Sequence, residues 1–102
     1  MVEVVVYYSN WNGVKGKKIV YRPGGVIETL LKLRDEFLRD AKYHGFTAQC
    51  ELIAHIGDKI YYNKDALDAY DDWLHGKLKY FKCICVHCED SSGYSEYICY
   101  PS

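Results

Sequence analysis

The stretch KCICVHCED, residues Lys82 to Asp90, decides how the rest of the sequence is interpreted, because it holds three of the five cysteines and one of the four histidines. A structural zinc site normally needs two short ligand pairs, such as Cys-x-x-Cys and a second pair elsewhere. Cys85 and Cys88 supply one pair, but Cys50 and Cys99 each stand alone. On a strand, Cys85 and Cys88 would also point to opposite faces. The pattern favours a packed strand that uses cysteine as a small hydrophobic residue, and it predicts no metal and no cofactor.

A hairpin is predicted to join this strand to a last one, Tyr94 to Tyr100. If Asp90 to Ser92 form the turn and Gly93 is left-handed, the register places Cys83 opposite Cys99. These two residues could then form a cross-strand disulfide, although a shift of one residue in the register would remove it. The odd number of cysteines leaves at least one thiol unpaired within a single chain.

Working outward, the remaining elements follow from periodicity and turn residues. From Val26 to His44 the apolar residues have the spacing of one helical face, and Gly45 ends the helix. Val2 to Tyr8 is apolar on both faces, which predicts a central strand. The other predicted strands are Lys17–Arg22, Phe46–Ile56, Lys59–Tyr62 and Tyr80–Cys88, and the second helix is Lys64–His75.

The order of these elements predicts an α+β fold with an internal duplication. KKIVY at Lys17 to Tyr21 resembles DKIYY at Asp58 to Tyr62, and both helices end in His-Gly. We therefore expect two tandem ββα motifs related by a pseudo-twofold axis, plus a C-terminal β-hairpin, with the helices packed on an antiparallel sheet. The chain would be one domain, residues 1–102, with motif 1 at about 1–45 and motif 2 at about 46–102.

Composition excludes several functional classes. Of the 102 residues, 49% are hydrophobic and 11 are Tyr, and the formal net charge is −1. This charge argues against a strongly basic nucleic-acid surface. No apolar run approaches the roughly 20 residues of a membrane helix, so we expect a soluble, intracellular protein without a membrane partner.

Isolated polar residues do not form a recognisable catalytic pattern. Four aspartates of the second helix, Asp65, Asp68, Asp71 and Asp72, are typical of a solvated helix face. His44 and His75 fit helix ends, and no Ser, Cys or carboxylate is spaced around His55 as in a nucleophile motif. The sequence therefore predicts a protein that is not an enzyme.

Binding is the function class that the sequence favours. The predicted partner is a peptide or protein, held in a groove between the two motifs or added at a sheet edge, with Trp11, Tyr21 and Tyr62 as candidate anchors. The alternative is a small nucleic-acid-binding regulator that uses Trp11 with Lys15, Lys17 and Lys18. The chain could also form a homo-oligomer.

The whole sequence resembles the small orphan proteins of filamentous viruses that infect hyperthermophilic archaea, such as those of Acidianus. The resemblance rests on VEVVVYYSNWNG at the start, the abundant Tyr and KCICVHC near the end. It implies a protein of the host cytoplasm that interacts with viral or host macromolecules, in a hot environment where intracellular disulfides are more plausible. It implies no catalytic residues.

Overall fold

The computed structural model describes all 102 residues, and it shows an α+β architecture in two layers. Its elements are β1 (Val2–Ser9), β2 (Lys15–Arg22), α1 (Val26–Tyr43), β3 (Ala48–Ile56), β4 (Lys59–Tyr62), α2 (Lys64–Leu74), β5 (Phe81–Asp90) and β6 (Ser95–Tyr100). The predicted order of strands and helices is confirmed. All six strands form one antiparallel sheet in the order β2-β1-β6-β5-β3-β4.

Both helices pack on the same face of this sheet. Helix α1 lies over β5, β3 and β6, while α2 lies over β3, β4 and β5. Leu30 and Phe37 of α1 and Tyr70 of α2 meet Val4 and Ile84 of the sheet in a single hydrophobic core. Core side chains stand at every second position of a strand, as Val4 and Val6 do, which is expected when one face of a strand is buried. The opposite face carries no helix.

The helix ends agree with the sequence prediction. His44 and His75 each lie just after a helix, where Nδ1 donates a hydrogen bond to a carbonyl oxygen one turn back, at 2.8 Å in both cases. Gly45 and Gly76 follow with φ of +79° and +74°. Glycine adopts this left-handed conformation without a steric penalty, which explains why both helices stop there. Neither helix is long and apolar enough to cross a membrane.

Candidate functional site: the uncovered face of the sheet

The uncovered face of the sheet, here called the open face, carries a continuous apolar row. Neighbouring strands contribute one residue each, paired in register across all six strands. The row consists of Ile19, Val5, Cys99, Cys85, Ile53 and Tyr62, in the order of the strands. Its middle is close-packed, since Val5 and Cys85 are only 3% and 7% exposed, whereas its two ends are exposed. No other element of the chain covers it.

Aromatic side chains extend this apolar surface on both sides of the row. Tyr7 and Tyr97 are paired neighbours on β1 and β6, and they are 47% and 44% exposed. The ring of His87 stacks on Tyr97 with 4.2 Å between centroids and 13° between planes. Tyr21 and Ile60, at opposite edges of the sheet, are also exposed. Aromatic residues that present this much surface are typical of protein interfaces rather than of a solvated sheet face.

Charged residues of the open face lie towards its margins. Lys15 and Lys17 are on the edge strand β2, and Glu51 and Glu89 are on β3 and β5 in the other half of the sheet. Gln49 donates a hydrogen bond to Glu89 at 2.8 Å. An apolar centre with a polar rim is the arrangement found in stable protein interfaces.

The predicted disulfide between Cys83 and Cys99 is wrong, because Cys99 pairs with Cys85. In the predicted register Glu89 lies opposite Gly93, but in the structure Glu89 lies opposite Ser95, two residues further along. A shift of two residues keeps each side chain on the same face. Cys99 therefore still meets a cysteine of β5, and the bridge lies in the centre of the open face.

The turn explains this shift. Asp90 remains in the strand, where its backbone N–H bonds the carbonyl oxygen of Tyr94 at 3.0 Å. Its side-chain Oδ1 accepts hydrogen bonds from the backbone N–H groups of Ser92 and Tyr94, at 2.8 and 3.3 Å. The connection thus consists of residues 91–94, and Gly93 is left-handed as predicted, with φ of +89°.

A second disulfide lies on the opposite side of the sheet. Cys50 and Cys88 are paired in register on β3 and β5 and are bridged. Cys88 is fully buried beneath the helices. Cys83 is left with a free thiol, whose pKa is raised by burial, so it is poorly suited to act as a nucleophile. No group of three or more His, Cys, Asp or Glu residues is arranged to hold a metal ion.

A cleft of ≈ 390 Å³ is found on the helix side of the sheet, between α1 and strands β2, β1 and β6. Phe37 and Tyr94 stack along it with 5.9 Å between ring centroids. Burial, and the hydrogen bond that the Tyr94 hydroxyl donates to Glu96 at 2.5 Å, raise the pKa of Tyr94. The cleft lies beside the first predicted motif. The hairpins of the two motifs are at opposite edges of the sheet, with β5 and β6 between them.

The candidate partner-binding residues are dispersed. Tyr21 and Tyr62 both lie on the open face, but on the two edge strands β2 and β4. Trp11 lies in the β1–β2 connection, 75% exposed, and its Cβ is beside Gly93. The structure therefore places two of the three on one surface and the third at its end.

The lysines of the nucleic-acid alternative are divided between two faces. Lys15 and Lys17 lie on the open face, whereas Lys18 is paired with Val6 and lines the cleft on the helix side. The carboxylates of α2 are exposed, and Asp68 forms an ion pair with Lys64 at 3.4 Å. These residues form no convergent site.

Several open-face residues were missed from the sequence, among them Tyr97, His87, Ile19 and Ile60. The available signal was the double apolar pattern of β1, which was interpreted as a strand buried on both sides. In the structure β1 is one strand from the edge, and only one of its faces is covered by the helix layer. Comparisons with protein-family models, with curated proteins and with solved structures find no match.

Proposed function

We propose that this protein is a non-enzymatic protein–protein interaction module that binds its partner through the open face. The observation that carries the proposal is the apolar row across the sheet, flanked by Tyr7, Tyr97 and His87. A surface of this kind is costly to leave in water, because each Å² of apolar area that a partner covers contributes about 25 cal/mol. The partner would be a protein with a flat apolar surface of similar size.

The face is also organised for binding. The Cys85–Cys99 bridge joins the two central strands, β5 and β6, so the strands that carry the surface are already fixed before a partner binds. A preorganised surface loses less conformational entropy on binding than a flexible one does. The reactive side chains do not form a shared site: Cys83 has a free thiol on the sheet, whereas His44 and His75 bond to carbonyl oxygens at the helix ends. This arrangement supports binding rather than catalysis.

The edges of the sheet are less suited to a partner than the face is. The edge strand β2 carries Lys15, Lys17, Lys18 and Arg22, and the other edge, β4, has only four residues. Charged and short edge strands are devices by which proteins prevent strand addition. Binding of a peptide at a sheet edge, or in the cleft beside α1, is therefore less well supported than binding of a protein on the open face.

The strand order supports a duplicated origin for this surface. A twofold axis perpendicular to the sheet between β5 and β6 would exchange β1 with β3 and β2 with β4, with the strand directions preserved. The helices obey this symmetry less well, since α1 lies over β5, β3 and β6 while α2 lies over its own hairpin and β5. We propose two ββα motifs that diverged after duplication, in a viral protein acting in the cytoplasm of its host.

Nucleic-acid binding remains the alternative function, and it is less well supported. It would use Trp11 with Lys15 and Lys17, because Lys18 faces the other side of the sheet. Affinity for single-stranded DNA that falls steeply with salt, and that Lys17→Glu abolishes, would favour this alternative.

Site-specific photo-cross-linking tests the proposed function. A benzophenone amino acid replaces Tyr97 on the open face or, as the control, Tyr43, which is 87% exposed on α1. Both variants are irradiated in the native cells, and any protein captured is purified and titrated against the unmodified chain. We expect capture at position 97 and not at position 43, followed by saturable binding that Tyr97→Glu abolishes. Equal capture at both positions, or none at position 97, would refute the proposal.

A further inference from the structure

We infer that the partner of the open face is a second copy of this chain, giving a dimer in which two sheets pack face to face. This inference rests on the proposed function and names its partner. The twofold axis would lie between the sheets, parallel to the strands, and pass between β5 and β6. Each β6 would then lie over β5 of the second copy, each β1 over β3, and each β2 over β4.

The area of the open face suits such a dimer. Six strands at a spacing of about 4.8 Å, with about seven residues each at about 3.4 Å, give a face of roughly 650 Å² after allowing for the short β4. Two copies would bury about 1,300 Å² in total, within the range of about 1,200–2,000 Å² that specific interfaces bury. Stacked sheets pack about 10 Å apart, which leaves room for the Tyr and Ile side chains.

The apolar row is self-complementary, as a twofold interface requires. Because the row runs straight across the strands, the axis places it on the same row of the second copy. Val5 would meet Ile53 of the second copy, and Ile19 would meet its Tyr62. The Cys85–Cys99 bridge would lie over the same bridge of the second copy. Apolar groups therefore cover apolar groups along the full width of the sheet.

The next row extends this match and fixes the direction of the axis. In that row Lys17, Tyr7, Tyr97, His87 and Glu51 follow one another across the sheet. An axis parallel to the strands places Tyr97 over His87 of the second copy. It also brings the half that carries Lys17 over the half that carries Glu51. Opposite charges thus approach each other at both sides of the interface. This favours the proposed orientation over one in which the lysine-bearing halves of the two copies would face each other.

The edges of the sheet and the helix-side cleft are less suited to self-association than the open face is. The lysine-rich edge β2 would repel its own copy, and β4 is too short to extend the sheet. On the helix side, charged residues such as Arg22 and Glu36 pair with each other at the mouth of the cleft. Association of two copies is therefore directed to the open face.

Sedimentation equilibrium of the purified full chain, under oxidising conditions, tests this inference. We expect the wild-type protein to have twice the 11.9 kDa mass of one chain. Tyr97→Glu places a charge in the centre of the interface and should weaken the dimer by at least about 30-fold, since an unpaired buried charge costs about 2 kcal/mol or more. Tyr43→Glu, on the helix side, should leave the dimer unchanged. Far-ultraviolet circular dichroism would verify that each variant is folded.

A charge exchange tests the orientation. Lys17→Glu should weaken the dimer, and Lys17→Glu combined with Glu51→Lys should restore most of the lost affinity. A wild-type chain that remains monomeric at millimolar concentration would overturn the inference, as would a dimer that Tyr97→Glu leaves intact. If the monomer nevertheless captures another protein at position 97 in cells, only the identity of the partner is wrong. If position 97 captures nothing, the proposed function fails as well.

Discussion

Removal of the Cys85–Cys99 bridge is expected to lower the free energy of unfolding by about 3 kcal/mol, and removal of Cys50–Cys88 by about 4 kcal/mol. The two bridges join residues that are 14 and 38 positions apart. A cross-link restricts the unfolded chain, and in the chain-entropy model this restriction grows with the logarithm of the loop that it closes. The longer loop should therefore contribute about 1 kcal/mol more. The fully buried sulfur of Cys88 adds packing contacts, which increases the difference.

The measurement compares Cys85→Ala/Cys99→Ala with Cys50→Ala/Cys88→Ala, both made in a Cys83→Ala background so that no free thiol can form a new pair. Urea unfolding followed by tryptophan fluorescence gives the free energies. For a domain of this size, 3 kcal/mol corresponds to a Tm lower by about 12–24 °C. Cys83→Ala alone is the control, and it should change the free energy by less than about 1 kcal/mol, because Cys83 is not bridged.

The result that would refute this reasoning is a large loss of stability in Cys83→Ala, with no further loss when Cys85 and Cys99 are also replaced by alanine. Such a result would mean that Cys83 bridges Cys99 and that the β5–β6 register is the one first expected from the sequence. A thiol titration of the unfolded protein supplies an independent count. It should find one free thiol in the wild-type chain and none in Cys83→Ala.

Three further changes test the packing. Thr29→Val should raise the free energy of unfolding by about 1 kcal/mol in a urea titration, because the buried Thr29 hydroxyl has no hydrogen-bond partner. Gly93→Ala should lower the free energy of unfolding by about 1–3 kcal/mol, since φ is +89° and a Cβ would stand 2.7 Å from Cβ of Trp11. The control is Gly25→Ala, because no atom lies within 4 Å of a Cβ added at Gly25. The raised pKa of Tyr94 predicts that stability present below pH 10 is lost as the pH rises further, and Tyr94→Phe should reduce this loss in unfolding curves between pH 9 and 11.

Local elements could be predicted from the sequence because their signals are local. The apolar spacing and the final glycine define α1 within one residue of its observed end. The register of β5 and β6 could not be predicted, because it depends on how the Asp90 side chain organises the turn. A two-residue error in register changes which cysteines pair without changing the alternation of apolar residues.

The open face was missed for a different reason. Alternation shows that β1 is apolar on both sides, but it does not show which side the helices will cover. Val4 and Val5 look equivalent in the sequence and are both buried in the structure. Only the helix layer, which lies on the Val4 side of the sheet, distinguishes the core position of Val4 from the position of Val5 on the open face.

The position of β6 in the sheet has a consequence for synthesis. Strand β6 lies between β1 and β5 in the sheet but follows both in the sequence, so the β1–β2 hairpin has no other strand beside it until Ser95–Tyr100 is made. A nascent chain that lacks these residues can form its hairpins and helices but cannot unite the two halves of the sheet. Closure of the sheet therefore waits for β6, and until then β1 exposes one strand edge and apolar side chains that a chaperone could bind.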